Sequence, residues 1–132
     1  MRGRLSPAKH NALSGLFSTP ESGLAIHCVD DGRTHLVAPT GELDRMSAWI
    51  LERALRRAEA SDARAIVLDL GGLELIDAIG VRIVIQADAR AHVHGKQLLI
   101  RRGPAQVHRV FELGGLTQRL PFADYAGGIP LP

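Results

Sequence analysis

The feature that most constrains the fold is a nearly continuous apolar run, Ala65 to Leu70 (AIVLDL), in the middle of the chain. A strand that is apolar on both faces needs cover on both sides, as a central strand of a parallel sheet has. Parallel neighbours are joined by crossover connections, which are usually helices. The run therefore predicts an α/β fold, and a length of 132 residues suits one domain.

Turn residues and hydrophobic periodicity divide the rest of the chain into strands and helices. The other predicted strands are Leu24 to Val29, Thr34 to Ala38, Gln97 to Arg101 and a short Leu120 to Phe122. The predicted helices cover 45–60, Asp77 to about His94, and Pro104 to about Gly114-Gly115. Asp44 and Asp77 are the expected N-caps of the first two helices. The order ββαβαβα(β) predicts a hairpin followed by right-handed crossovers, and so a mixed β-sheet of about 4–5 strands packed with helices.

Composition predicts where the domain begins and ends. Residues 1–22 are rich in Ser, Gly and Pro and contain several basic residues, and we interpret them as a flexible N-terminal tail. Residues 126–132 hold two glycines and two prolines and are interpreted as a flexible C-terminal tail. The domain is expected to cover residues 23–125.

Several classes of function are disfavoured by the sequence. The formal charge is only +2 and no basic stripe with interleaved aromatics occurs, so nucleic-acid binding is not expected. No segment approaches the roughly 20 apolar residues that cross a membrane, so no membrane insertion is expected. The single cysteine, Cys28, lies in an apolar alternation, which indicates a buried side chain and suits a reducing cytoplasm.

Catalytic motifs are also missing from the sequence. It has no glycine-rich phosphate loop, no Cys/His set with metal-ligand spacing and no nucleophile elbow, so we expect no enzyme activity, no metal and no cofactor. His27 and His35 flank the predicted hairpin turn and could approach each other across the strands. Such cross-strand polar pairs are common without a metal, and we interpret this one as structural.

The second helix is apolar on two sides. At about 100° per residue, one face collects Gly80, Ile83, Val84, Ala87 and Ala91, which we expect to lie on the sheet. Roughly opposite lie Ala78, Arg82, Ile85 and Ala89, with Val81 beside them. Either the first helix covers part of this second side, which we favour, or its N-terminal turn is a surface for a partner.

The first helix leaves a similar alternative. Its core stripe is predicted to be Ala48, Leu51, Leu55 and Ala58, and Met46, Trp49 and Ile50 begin away from that stripe. Trp49 is either an exposed anchor of the kind that dominates protein interfaces or a side chain packed under a loop.

Four segments occur in the order expected of one known family. They are Gly41-Glu42-Leu43-Asp44 with Ser47-Ala48 and Leu51; Ile66 to Leu70 with Leu73, Ile76, Asp77 and Gly80; Gly95-Lys96-Gln97-Leu98; and Val107 to Leu116. In register over roughly residues 24–122, they resemble the STAS family, best known from bacterial anti-sigma factor antagonists. The resemblance implies a STAS-type α/β fold.

The resemblance also implies a partner-switching function in transcription regulation. Antagonists of this family bind an anti-sigma factor, usually a histidine-kinase-like ATPase, and so free a sigma factor. The kinase phosphorylates a serine directly after the switch-loop aspartate. Here the family's Asp-Ser-Ser-Gly reads Asp77-Ala78-Ile79-Gly80, and Ala78 has no oxygen to accept a phosphoryl group. The sequence therefore predicts a cytoplasmic binding module that is not phosphorylated at this position.

The expected partner-binding residues surround this turn. They are Asp44, Trp49, Asp77, Ala78, Ile79, Gly80, Arg82 and Ile85. The alternative function is a non-catalytic STAS subunit of a transport or stress-signalling assembly. A homodimer is left open, and nucleotide binding has little support from the residues.

Overall fold

The computed structural model describes residues 13–18 and 23–123, with side chains described for 23–123. Strands and helices alternate along this part of the chain. The strands are β1 (Leu13–Ser18), β2 (Leu24–Asp30), β3 (Thr34–Leu43), β4 (Ala65–Asp69), β5 (Gly72–Ile76), β6 (Gln97–Arg101) and β7 (Phe122–Ala123). The helices are α1 (Ala48–Ala60), α2 (Ala78–Val93) and α3 (Ala105–Leu113).

The strands form one mixed sheet in the order β1-β2-β3-β4-β6-β7, with β5 paired to β3 beside this path. The pairs β1–β2 and β2–β3 are antiparallel, whereas the pairs β3–β4, β3–β5, β4–β6 and β6–β7 are parallel. The predicted α/β class and mixed sheet are confirmed. The described residues contain seven strands, two or three more than predicted.

β3 is the longest strand, and it serves two parallel partners in turn. Its first half, from Thr34 to Val37, pairs with β4, and its second half, from Thr40 to Leu43, pairs with β5. The register shifts between Gly41 and Glu42. Because β3 and β5 are parallel, their carboxyl ends lie side by side, and so do the starts of the helices that follow them.

The predicted apolar faces of the first two helices are buried. All five residues expected on the sheet face of α2 are buried, as are the four of the α1 stripe. Ile50 was expected away from the α1 stripe, but it is 3% exposed. The reason is that Ile50 and Ala54, one turn apart, widen the apolar stripe of α1 beyond the four predicted positions.

β1 corrects the prediction for the N-terminal segment. Leu13–Ser18 pairs antiparallel with β2 from Ala25 to Asp30, although the sequence assigned residues 1–22 to a tail. Without β1, the outer edge of β2 would present unpaired backbone N–H and C=O groups. The composition of the segment does not reveal this backbone pairing. Residues 1–12, 19–22 and 124–132 lie outside the described residues, so the proposed tails there stay a prediction.

β5 is the second strand that the sequence did not predict. Leu73 and Ile76 were singled out only by the family resemblance, but Gly72–Ile76 hydrogen-bonds to β3 as a strand. Its burial does not alternate strictly, because Glu74 and Leu75 are both exposed between buried Leu73 and Ile76. A short strand without period-two alternation gives no strand signal in the sequence.

β2 and β3 form the predicted hairpin, and its turn is stabilised by side-chain hydrogen bonds. Asp31 Oδ1 accepts hydrogen bonds from the backbone N–H of Arg33 and Thr34, and Gly32 has a φ of 91°. The two histidines do not face each other, contrary to the expectation that they could. The register places His27 opposite Ala38, and His35 opposite Asp30.

Candidate functional site

The candidate site lies where α1 and α2 begin, at the paired ends of β3 and β5. The last registered pair of these strands is Leu43 with Ile76. One residue further, the backbone N–H of Asp77 donates to the carbonyl of Leu43 at 3.1 Å. This hydrogen bond holds the start of α2 against the end of β3.

Asp77 joins the two helix starts through its carboxylate. Oδ1 accepts hydrogen bonds from the N–H groups of Ile79 and Gly80, both at 3.0 Å, so Asp77 is the N-cap of α2 as predicted. Oδ2 accepts from the N–H of Arg45 at 3.1 Å, in the turn that precedes α1. The same side chain therefore caps one helix and fixes the approach to the other.

Asp44 has a different role from the predicted one. It was expected to cap a helix beginning at residue 45, but α1 begins at Ala48 and its N-cap is Ser47. Asp44 Oδ1 accepts from the N–H groups of Met46 at 2.9 Å and Ser47 at 3.2 Å. The carboxylate thus closes a tight turn over residues 44–47, and the helix starts one turn later than the sequence indicated.

Ser47 is fully buried and its hydroxyl is occupied. The hydroxyl donates to the carbonyl of Glu42 at 2.8 Å and accepts from the N–H of Asp44 at 3.1 Å. Ser47 therefore holds together the turn before α1, although its hydroxyl makes no capping hydrogen bond to the helix itself. A kinase cannot reach this hydroxyl without opening the turn. Ala78, the exposed first residue of α2, has no side-chain oxygen.

Gly80 brings α2 close to the end of β3. A Cβ at this position would lie 2.8 Å from Ile76 Cγ1 and 2.8 Å from Leu43 Cγ, which is closer than a real Cβ packs. Gly80 is buried, so it does not offer a side chain to a partner. Its contribution to the site is to let the first turn of α2 pack closely against Leu43 and Ile76.

Large apolar side chains are exposed around these turns. Met46 is 71% exposed, Trp49 50% and Ile85 40%. A shallow groove of about 430 Å³ lies between the two helix starts, and it is lined by Asp44, Arg45, Met46, Asp77 and Ile79. We call the groove together with Trp49, Ala78, Arg82 and Ile85 the docking surface.

The structure brings together most of the predicted site residues. Asp44, Asp77 and Ile79 line the groove, Ala78 and Arg82 are exposed on the first turns of α2, and Trp49 is exposed at the start of α1. Ile85 lies two turns along α2. Arg45 and Met46 also line the groove and were not among the predicted residues. The signal for them is their position directly after the N-terminal aspartate of the turn.

The second face of α2 settles one of the alternatives left open by the sequence. Ala78, Arg82, Ile85 and Ala89 are all exposed, so the favoured interpretation, in which α1 covers part of this second side, does not hold for these four residues. Val81, beside the row, is buried in the core. Trp49 is half exposed and therefore not packed under a loop.

No metal site or membrane span is found in residues 13–18 and 23–123. Within these ranges, no group of three His, Cys, Asp or Glu side chains is placed to hold a metal ion. Likewise, none of the helices described there is long and apolar enough to span a membrane.

Comparison with known proteins identifies the fold. A family model described as "Mlab, STAS domain" matches residues 27–122. No curated protein sequence matches this chain significantly. Among solved structures, an anti-sigma factor antagonist from Mycobacterium paratuberculosis is similar, with 20% identity, a TM-score of 0.61 and 92% of each chain covered.

Two further solved structures share the fold. The Bacillus anti-sigma factor antagonist SpoIIAA, in its unphosphorylated form, has 17% identity and a TM-score of 0.60, with 85% of this chain and 89% of that chain covered. The protein SLC26A9 has 13% identity and a TM-score of 0.59, with 82% of this chain but 21% of that chain covered. The same fold thus occurs both as a small protein and as part of a much larger one.

Proposed function

This chain belongs to the STAS family, and on that premise we propose that it is a non-catalytic, anti-sigma-factor-antagonist-like binding module. Its partner would be a kinase-like ATPase that acts as an anti-sigma factor, and its location the cytoplasm. The observation that carries the proposal is the exposed start of α2, where Ala78 follows the capping Asp77 beside an open groove whose lining includes the apolar side chains of Met46 and Ile79. Two solved structures that match over most of both chains are described as anti-sigma factor antagonists.

The proposed module stays in its binding-competent form. A phosphate at the start of α2 would add nearly two negative charges to the middle of the docking surface. Ala78 cannot accept it, and Ile79 removes the next hydroxyl that the family pattern provides. Thr40, another hydroxyl in this region, pairs with Gly72 at the start of β5 and is not among the residues that line the groove. Partner release would then depend on something other than phosphorylation here.

The experiment is to mix the purified chain with each kinase-type anti-sigma factor of the source organism, in the presence of labelled ATP. We expect a stable complex with one of them and no transfer of phosphate to the chain. Stoichiometric labelling of the chain, or binding to none of these proteins, would contradict the proposal.

Two substitutions of Ala78 test separately the loss of the phosphate acceptor and the effect of charge at this turn. Ala78→Ser is expected to restore labelling, because it returns a hydroxyl to the exposed first residue of α2. Ala78→Asp is expected to weaken the complex about tenfold or more, because it buries an unpaired charge in the interface. Ala105→Asp is the matched control, since Ala105 is also the exposed first residue of a helix, α3.

A second candidate function is a non-catalytic subunit of a larger transport or stress-signalling assembly. The observation that favours it is the match to SLC26A9, in which this fold accounts for about a fifth of a larger chain. Purification of the tagged chain from its native host distinguishes the two. A stoichiometric assembly without an anti-sigma factor would support the second candidate, whereas a complex that contains an anti-sigma factor would support the first.

A further inference from the structure

The docking surface holds two arginines as well as the two aspartates of its turns. Arg45 lies in the turn before α1 and lines the groove, and Arg82 lies one turn after Ala78 on the exposed face of α2. Both side chains are exposed. Among the residues that the structure describes, neither guanidinium has an ion-pair or hydrogen-bond partner. Both are therefore available to a partner.

The acidic groups of the same surface are engaged within the turns, through Oδ1 of Asp44 and both carboxylate oxygens of Asp77. The carboxylates of Asp44 and Asp77 point into the turns and accept backbone N–H groups, and both residues are only partly exposed. The N-terminal ends of α1 and α2 add partial positive charge beside them, which offsets their negative charge. A partner therefore meets the apolar side chains of Met46 and Ile79, two exposed guanidinium groups, and two carboxylates that already bind backbone N–H groups.

From this arrangement we infer that the docking surface selects a protein segment that presents an apolar ridge flanked by carboxylates. The ridge would fill the groove beside Met46 and Ile79, and the carboxylates would pair with Arg45 and Arg82. Guanidinium groups suit this role because they bind carboxylates in a fixed, bidentate geometry. The inference rests on the proposed function, and it names the chemistry of the partner surface that this chain recognises.

The charges would act chiefly on partner choice. Exposed ion pairs at the rim of an interface contribute little to affinity, but they raise the association rate and disfavour partners of the wrong sign. An anti-sigma factor with basic side chains around its contact ridge would be repelled. The inference thus distinguishes the partner of this chain from anti-sigma factors that present a basic contact surface.

Trp49 provides the measurement. It is the single tryptophan of the chain, and it is half exposed within the docking surface, so its emission reports binding there. The probe is a synthetic amphipathic helix whose leucine face is flanked by glutamates. The control is the same peptide with lysines in place of the glutamates. Backbone amide shifts in an NMR titration locate the bound peptide independently.

We expect the glutamate peptide to bind about tenfold more tightly than the lysine peptide at low salt, with the difference shrinking as salt is added. In the double variant Arg45→Glu, Arg82→Glu the order of the two peptides should reverse. The milder pair Arg45→Gln, Arg82→Gln should bring the two affinities together. Arg64→Glu is the matched control, because Arg64 is exposed just before the amino end of β4, whereas the docking surface lies at the carboxyl ends of β3 and β5.

Equal affinity for the two peptides, no change in Trp49 emission, or an unchanged order in the double variant would overturn the inference. The outcome is separable from that of the proposed function. If an anti-sigma factor binds and the double variant leaves that complex unchanged, the inference fails and the function stands. If the glutamate peptide is preferred but no anti-sigma factor binds, the function fails and the inference stands.

Discussion

Arg90 of α2 and Glu59 of α1 form a bidentate ion pair, with Nε 2.7 Å from Oε1 and Nη2 2.9 Å from Oε2. The Glu59 side chain is 8% exposed, so the pair is largely removed from water. It joins the last turns of the two helices whose first turns form the docking surface. The two parallel hydrogen bonds fix the direction of one helix relative to the other.

Arg90→Met is therefore expected to lower the free energy of unfolding by about 3–5 kcal/mol, because it leaves the Glu59 carboxylate buried without its partner. Urea unfolding measures the loss. The matched control is Arg56→Met, which removes the exposed i,i+4 pair with Glu52 at 3.8 Å and should change stability by about 0.5 kcal/mol or less. Equal losses in the two variants would show that burial of the pair does not matter.

Gly80→Ala is expected to destabilise the protein by about 1–3 kcal/mol, because the added methyl group overlaps Leu43 and Ile76. The displaced first turn of α2 should also weaken partner binding. Thermal unfolding measures the first effect and titration with the glutamate peptide the second. Gly114→Ala is the control, since its Cβ would meet Leu116 at 3.4 Å, an ordinary contact. A Gly80→Ala variant as stable as the wild type would refute the close packing described for α2.

Stability should fall as the pH is lowered through the range in which histidine titrates. Burial lowers the pKa of His35 below its ordinary value of 6.5, although the Asp30 carboxylate, 3.5 Å from Nδ1, opposes this and Lys96 reinforces it. The unfolded chain then binds a proton that the folded chain resists. The contribution is fully present above pH 6.5 and is lost as the pH falls below it.

Urea unfolding at a series of pH values between about 7.5 and 5 tests this expectation. His35→Gln should make stability less dependent on pH over this range. His27→Gln, at an exposed position of the neighbouring strand, should leave the dependence as in the wild type. The same pH dependence in all three proteins would mean that His35 is not the group responsible.

Cys28 should resist alkylation in the folded protein. Burial raises the pKa of its thiol to about 11, against the opposing effect of Arg57, so almost no thiolate forms near pH 8. We expect iodoacetamide to add to Cys28 only after unfolding in urea, as measured by mass spectrometry. An Ala60→Cys variant, with its new thiol at an exposed position, should gain one adduct in the native state. Rapid native modification of Cys28 itself would argue against its burial.

The parts of the fold that follow from local chemistry were predictable from the sequence. Asp77 caps α2 because its side chain bonds to amides two and three residues ahead, within a span that the sequence displays. The sheet face of α2 follows from helical periodicity alone. The apolar run that contains β4 was recognisable because a strand between parallel neighbours needs apolar side chains on both faces.

The parts that depend on pairing between distant segments were not predictable in the same way. β1 and β5 are held by backbone hydrogen bonds to β2 and β3, and their side chains give no alternating pattern that marks them. The groove also depends on pairing between distant segments, because the hydrogen bond from the backbone N–H of Arg45 to Asp77 requires that β5 pair with β3. Which of its residues contact a partner stays a prediction.

The division of β3 between two partners limits how the length of this chain can vary. Successive side chains of a strand point to opposite faces of the sheet. If the pairing of β3 with β4 and the positions along the sheet were kept, one residue inserted between Val37 and Thr40 would therefore turn Leu43 out of the core and Glu42 into it. The hairpin turn at Asp31 and Gly32 is exposed and bears no such constraint. Insertions and deletions in related sequences should therefore collect in that turn and spare the middle of β3.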